Sequence, residues 1–531
     1  LRRQRQMCIR DRTKNYYFNL NSRYFRTFAG KHDLDATLGA HILMTQNEYD
    51  AGLGRNTGDD IYQVLGNSER DSRTIIGYLE KWNWMNFYGH IDYTYDDKVK
   101  AAVNLAYDAS SSVGKDATRF NLYPSVGLTW LGKGWSFMQN APWVNTLNIR
   151  AEYSLTGNSR FASTYGRYYY TTQRFDGVSG IVRANVPNTS MKPERTAQLN
   201  AGFDWTMFNN RVSVSFDYYN QQVSDILLHA QSSAIYGSAL FYSNAGKMEN
   251  QGVELAVQAT VLRTHDFEWI VGGNIARNRS KIKSLGGYSE LIDSYDDEVQ
   301  LINRVGESPF QFYGFQTEGV FASQEEADAA HLVNTGNSQF NAGDVRFVDQ
   351  NGDHCIDADD RISLGSASPD FFGGFFTNIR YKGFALSAEF NYSKGNKAYN
   401  AVRRTLESSS RTDNQSIRVT NRWTMEGQIT DMPRASWLDP MQNNTFSDRW
   451  IEDASFLRMR HITLSYSFDK PVLKFFRSGT IYVTGENLWT LTDYLGLDPE
   501  FAYGSTTDLQ GFDNAKLVQP KTVKFGVNLK F

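Results

Sequence analysis

Residues 197–219 read AQLNAGFDWTMFNNRVSVSFDYY, and the two halves of that stretch alternate. Ala197, Leu199, Ala201, Phe203 and Trp205 fall on one side, with Gln198, Asn200, Gly202 and Asp204 on the other. Beyond Asn209-Asn210, Val212, Val214, Phe216 and Tyr218 oppose Ser213, Ser215, Asp217 and Tyr219. A period of two places successive side chains on opposite faces of a strand, and Asn-Asn between two such runs is turn chemistry. The stretch reads as a hairpin with one apolar face and one polar face.

The pattern recurs along the chain. Fifteen segments alternate, near 15–26, 34–45, 84–95, 99–109, 120–130, 145–156, 195–207, 211–222, 252–262, 267–278, 371–381, 384–394, 456–468, 478–488 and 520–531. Their length is that of a tilted membrane strand. Leu147, Ile149, Ala151 and Tyr153, for example, face away from Asn148, Arg150, Glu152 and Ser154. The closing stretch, KTVKFGVNLKF at 521–531, sets Val523, Phe525, Val527, Leu529 and Phe531 on one face.

A soluble β-sandwich alternates as well, so the connections decide. Short links at Asp96-Asp97, Asn209-Asn210, around His265 and at Lys382-Gly383 alternate with long ones at 46–83, 157–194, 223–251, 279–370, 395–455 and 489–519. Short turns at one end and long loops at the other describe an outer-membrane β-barrel, turns in the periplasm and loops outside. Lipid then covers the apolar face.

Composition agrees. The chain has 531 residues, with 11 Trp, 30 Tyr and 34 Phe, and tyrosine suits surfaces that are apolar at one end and wet at the other. No apolar run reaches the roughly eighteen residues of a transmembrane helix, so a spanning protein of this kind must be a closed barrel. A formal net charge of −3 gives no nucleic-acid footprint.

The opening LRRQRQMCIRDR at residues 1–12 lacks apolar periodicity. It resembles a translated sequencing-library adapter and is set aside as an assembly scar, so residues 13–531 are read as the C-terminal portion of a barrel. Without Cys8, Cys355 stands alone and no disulfide framework is expected.

Several stretches together resemble the SusC/RagA family of TonB-linked outer-membrane transporters of Bacteroidetes. They are YPSVGLTW (123–130), LNIRAEYSLTGNS (147–159), KPERTAQLNAGFDWTMFNNRVSVSFDYYNQQVSDILL (192–228), NAGKMENQGVELAV (244–257), GDVRFVDQNGDHCIDADDRISLGSASPDFFGGF (343–375), SFLRMRHITLSYSF (455–468) and ENLWTLTDYLGLDPEF (486–501). The resemblance implies an all-β chain with about 15 of about 22 antiparallel barrel strands. It also implies a plug and TonB box outside this sequence, and a SusD-like surface lipoprotein as lid. The implied activity is energised import of glycan or peptide oligomers across the outer membrane. Other readings are a TonB-dependent receptor for a siderophore or cobalamin, an extracellular calcium-dependent binding module, and a barrel enzyme such as a lipase. Nothing in the sequence supports catalysis: H-E-x-x-H, G-x-S-x-G and P-loop motifs do not occur.

DQNGDHCIDADD at 349–360 has the oxygen spacing of a calcium loop. Asp349, Asn351, Asp353, the Cys355 carbonyl, Asp357 and Asp360 fill ring positions 1, 3, 5, 7, 9 and 12, with Ile356 as apolar anchor. Asp at the last position resembles the dockerin variant. His354 stands where glycine normally makes the sharp turn, so any calcium bound here is expected to be weakly held. Tyr168, Tyr169 and Tyr170 lie in a long loop as candidate sugar-stacking residues, or as an aromatic girdle. Arg150, Glu152, Asp204, Asp217 and Glu389 point inward as satisfied interior charges. In SFLRMRHITLSYSF, Arg458 and Arg460 share a face with Ile462, Leu464 and Tyr466; the preferred expectation is that they stand above the membrane rim rather than mark a bulge. Because an odd set of strands begins and ends in the same direction, the sheet is expected to be left open, or closed only with strain, between 15–26 and 520–531.

Overall fold

A computed structural model describes residues 5–55, 64–69, 72–176, 178–231, 240–295, 299–468, 476–501 and 509–530. Fifteen long strands carry it: β1 (Arg5–Phe28), β2 (His32–Arg55), β3 (Thr74–Tyr95), β4 (Val99–Ser110), β5 (Phe120–Leu131), β6 (Val144–Asn158), β7 (Glu194–Met207), β8 (Val212–Gln231), β9 (Leu240–Arg263), β10 (Phe267–Leu285), β11 (Phe371–Tyr381), β12 (Phe384–Lys394), β13 (Phe456–Phe468), β14 (Ser478–Glu486) and β15 (Thr522–Lys530). They neighbour one another in chain order, β1 and β15 being the two ends of that order, and the short strand Thr490–Thr492 pairs with β13 off the path. Up-and-down order with two unjoined terminal strands is what the alternation and the odd count imply.

Each expected segment is a strand, but several run further than their apolar columns. β1 begins at Arg5, β2 reaches Arg55 and β3 starts at Thr74, and their ladders stay unbroken from Arg5↔Arg55 and from Leu53↔Thr74. Apolar alternation marks only the lipid-facing part. A strand leaving the hydrocarbon keeps its hydrogen bonds as long as its neighbour keeps pace. The short turns use left-handed residues: Asp96 and Asp97 have φ of 49° and 51°, as a two-residue hairpin turn requires.

Contacts divide the chain into two compact units, one of residues 1–140, 148–201 and 220–248, the other of 141–147, 202–219 and 249–531. In the first, Leu38 and Met44 in the outward column of β2 are 69% and 50% exposed. Phe87, Leu105 and Leu128 are exposed on β3, β4 and β5 as well. In the second, Phe525 of β15 is 73% exposed. Such columns are tenable only against lipid.

The second unit also contains a globular body, built from the β10–β11, β12–β13 and β14–β15 connections. A four-stranded sheet of Glu290–Tyr295, Val299–Arg304, Gln311–Phe315 and Arg361–Ser366 lies in the first of these connections. A three-stranded sheet joins Ile451–Asp453, Lys397–Asn400 and Phe512–Asp513. Unlike the long strands, this body has conventional cores. Phe315, Phe321, Phe340, Val345 and Phe347 are buried together in one, and Leu301, Phe312, Phe446, Trp450 and Phe512 in another. Full burial of each such side chain contributes about 1.5–3 kcal/mol.

Candidate functional site

The polar columns of the strands hold paired charges. Glu152 Oε1 accepts the Ser125 hydroxyl at 3.0 Å, Asp204 Oδ1 accepts that of Ser215 at 2.7 Å, and Glu389 lies 3.6 Å from His461. Arg150 and Asp217 also have interaction partners. These residues line a polar face without any being left bare.

At Arg458 and Arg460 the preferred expectation is corrected: the ladder contains a bulge. Glu389 and Phe390 of β12 pair with His461 and Met459 of β13, so Arg460 has no counterpart. The inserted residue reverses the faces. Met459 and Leu457 join Phe390 and Tyr392 on the apolar side, while Arg458 pairs with Asn391 on the polar side. There Arg458 is buried. Its Nε donates to Thr490 Oγ1 and its Nη1 to Glu500 Oε2, both at 3.0 Å. Nη2 reaches Asp498, and Arg460 shares Glu500. The bulge thereby brings two guanidinium groups onto two carboxylates of ENLWTLTDYLGLDPEF.

The acidic loop at 349–360 is tied by its own backbone. Asp349 accepts the N–H of Gly352 at 2.7 Å and that of His354 at 2.8 Å. Asn351 accepts from Asp353 at 2.9 Å and Asp353 from Cys355 at 2.8 Å. Asp360, wholly buried, accepts the N–H groups of Gln350 and Asp357, each at 2.8 Å, so it clasps the loop's beginning to its end. His354 takes φ 65°, the left-handed turn expected at that ring position. Ile356 is buried in the Phe315 cluster, anchoring the loop to the body. Desolvation at Asp349 opposes ionisation, and the N–H groups of His354, Gly352 and Asp353 overcome it, holding that carboxyl below the usual range.

Asn351 Nδ2 meets Asp353 Oδ2 at 3.1 Å, yet among the described residues no three His, Cys, Asp or Glu side chains converge as a metal-holding group. Asp357 caps the turn at 358–360 through Asp359 N–H.

Tyr168 and Tyr170 are exposed and Tyr169 half-buried, at the start of a hairpin of Tyr170–Phe175 and Val178–Arg183. The Arg183 guanidinium stands 5.5 Å from the centre of the Tyr168 ring. A closer aromatic assembly lies beside them and was missed in the sequence. Tyr165 stacks on Tyr242 with centroids 3.8 Å apart and planes at 14°, and His229 lies 5.3 Å from Tyr242. The one sequence signal was the aromatic density of GRYYYTTQRF; a stack between such distant segments has no local signature.

With this geometry in hand, comparison with known proteins is decisive. Residues 4–353 match the sequence profile of the family described as TonB dependent receptor-like, beta-barrel. The chain belongs to that family. Members are outer-membrane receptors and transporters, and the chain is no enzyme. It is 30% identical over 486 residues to TonB-dependent receptor P26 of Formosa agariphila, covering 88% of this chain and 48% of the relative. To TonB-dependent receptor SusC of Bacteroides thetaiotaomicron it is 25% identical over 540 residues, covering 97% of this chain and 50% of SusC. The chain thus spans about half the length of these relatives. A solved structure, described as that of the RagAB peptide transporter, superposes with a TM-score of 0.81 at 23% identity, over all of this chain and 56% of the other. That likeness shows a shared fold.

Proposed function

We propose that this chain is the larger part of the barrel of a SusC-like importer, which takes up glycan or peptide oligomers through the outer membrane. The TonB system would energise it through an N-terminal part, and a SusD-like lipoprotein would close it from outside. The observation that carries this reading is the cored body on the long-connection end of β10–β15. It presents large apolar side chains to solvent: Ile429 is 94% exposed, and Ile417, Met425, Trp437 and Leu438 are exposed in the same segment. Exposed apolar groups in a body that already has its own cores suit a protein partner. Tyr168, Tyr169 and Tyr170 are assigned to contact with the transported oligomer, where Tyr rings offer stacking faces and hydroxyl groups together.

Uptake of labelled oligosaccharides and oligopeptides by cells making the intact receptor tests the reading. Accumulation of one class, abolished when TonB is inactivated, is the expected result. Uptake unaffected by loss of TonB would reduce the protein to a passive pore. Co-purification of a lipoprotein, lost in Ile429→Asp and Trp437→Asp together, tests the lid separately.

A further inference from the structure

The outward column of β10 changes chemistry at one point. Trp269, Val271, Gly273 and Ile275 face the same way as Ile379, Thr377, Phe375 and Gly373 of β11, with which they pair. Continued at the same period, the column becomes Arg277, Arg279, Lys281 and Lys283. Alternation is intact there, because Asn278 accepts the hydroxyl of Tyr219, on the inward column of β8, at 3.1 Å. The cations are therefore an upward extension of the lipid-facing column.

Their height is marked by aromatic rings. The last β10–β11 partners are Ala276 and Phe372. Phe375 and Phe390 stack with centroids 4.8 Å apart, and the next outward rings above them, Phe371 and Tyr392, meet edge-on at 6.2 Å. Aromatic girdles border the apolar band of outer-membrane barrels. Tyr392 and Phe384, at the top and bottom of the β12 column, are separated by roughly 26 Å of strand, enough to cross most of that band at the usual tilt. Arg277 is level with the upper girdle, and Arg279 and Lys281 follow at intervals of about 6.6 Å along the strand. That is headgroup depth.

A basic run is most often a solvated face, and two observations argue otherwise here. Lys283 pairs with Glu249, but among the described residues no carboxylate pairs with Arg277, Arg279 or Lys281. These three line a concavity of about 450 Å³ together with Ser366, Ser368 and Asp370. Three carboxylates line it too: Glu249 is met by Lys283 and Glu307 by Arg304 and Gln311, which leaves Asp370 to oppose an anion. Three cations outweigh it, and the serine hydroxyls add donors. Guanidinium groups match phosphate oxygens in pairs, and cations at a membrane boundary attract anionic headgroups.

We propose that Arg277, Arg279 and Lys281 form a binding site for the phosphate of an anionic glycolipid in the surface leaflet of the outer membrane. The lipid's chains would lie along Ile275 and Val271, and its phosphorylated sugar in the serine-lined concavity. Intact receptor in nanodiscs of uncharged lipid, titrated with phosphorylated lipid A and read by native mass spectrometry, tests this. Arg277→Gln with Arg279→Gln should weaken binding about tenfold or more, while Arg277→Lys with Arg279→Lys should retain part of it. Dephosphorylated lipid A should bind wild type as weakly as phosphorylated lipid A binds the Gln pair. Equal binding to wild type and the Gln pair would overturn the proposal, as would displacement of the lipid by excess inorganic phosphate, which would make this a free-phosphate site. Should the Gln pair not assemble, Lys281→Gln replaces it; binding that is unchanged, with unchanged salt dependence, would count equally against the site.

Discussion

Arg434 grips the buried carboxylate of Asp344 with two parallel hydrogen bonds, Nε to Oδ1 at 2.9 Å and Nη2 to Oδ2 at 3.0 Å. Asn443 Nδ2 and the N–H of Asn341 complete the shell at 3.0 and 2.9 Å. The pair joins the 343–348 strand region to the segment before Trp437, so it holds the body's long insertions together. Removing one partner leaves a buried charge uncompensated, at a cost of about 3–5 kcal/mol. Arg434→Met in the intact receptor should make the 397–455 connection sensitive to protease while the long strands resist. Removing both charges, with Asp344→Leu added, should recover much of the loss. Unchanged proteolysis of Arg434→Met would show that the pair contributes little.

Acid should loosen the same body. Asp349 and Asp453 both titrate below the ordinary carboxylate range: desolvation opposes ionisation at each and is outweighed, at Asp349 by backbone N–H groups and at Asp453 by Ser455 and then Lys394 and Lys397. A depressed folded pKa contributes stability above the unfolded value of about 3.9, and that contribution is lost as pH falls through the folded value. Asp439 runs the other way. Burial raises its carboxyl despite the N–H groups of Asn444 and Asn443, so its contribution is present below about pH 3.9 and fades as pH rises through the folded value. For Asp349 and Asp453 the melting midpoint followed by tryptophan fluorescence is expected to drop as pH falls below about 4, with Asp439 offsetting part of the loss. Asp349→Asn should flatten that drop. A midpoint that stays level would refute it.

How far the sequence carries depends on what is local. Strand positions were legible because alternation is a property of neighbours along the chain, and β11, β12 and β13 end where their apolar columns end. The upper parts of β1, β2 and β3 were not, because polar residues such as Gln46, Asn47 and Glu48 leave no period to read; only the ladder to an adjacent strand shows them extended. The bulge at Arg460 was hidden for a related reason. A single inserted residue appears only when β12 and β13 are set side by side. In the acidic loop the turns were legible, including the left-handed His354, whereas the direction of each carboxylate was not. Spacing alone cannot distinguish an oxygen aimed at a metal from one aimed at an N–H group.

That distinction yields a prediction. Because the loop is closed by its own N–H bonds, calcium at millimolar concentration should leave the melting temperature of the intact receptor unchanged, and Asp353→Ala should respond no differently. A site of extracellular-module affinity, with Kd near 10⁻³ M or below, would instead add about 0.4 kcal/mol or more at 1 mM calcium. A calcium-dependent rise that Asp353→Ala abolishes would show that the loop holds the metal. Independently of calcium, His354→Gly should stabilise the loop by roughly 1 kcal/mol, relieving the left-handed backbone of a side chain that tolerates it poorly.

The inward column of the closing strand offers a test of how tyrosine is used here. Tyr482 of β14 pairs with Gly526 of β15, and its ring lies across the glycine, so that a Cβ there would stand 2.2 Å from Tyr482 Cζ. The same arrangement occurs at Tyr88 over Gly39 between β3 and β2, where the Cβ would stand 2.4 Å from the ring. Glycine weakens a strand by itself, and the covering ring compensates by filling the gap and shielding the ladder. On propensity alone Gly526→Val would strengthen β15; the geometry says that it expels the Tyr482 ring and costs about 1–3 kcal/mol. Combined with Tyr482→Ala it should cost markedly less than the two single changes added together, since the clash is then gone. The fraction of intact receptor that keeps its folded mobility on unheated gels, measured with urea in outer-membrane preparations, reads this cycle. Additive losses would mean that the ring and the glycine do not act as a pair.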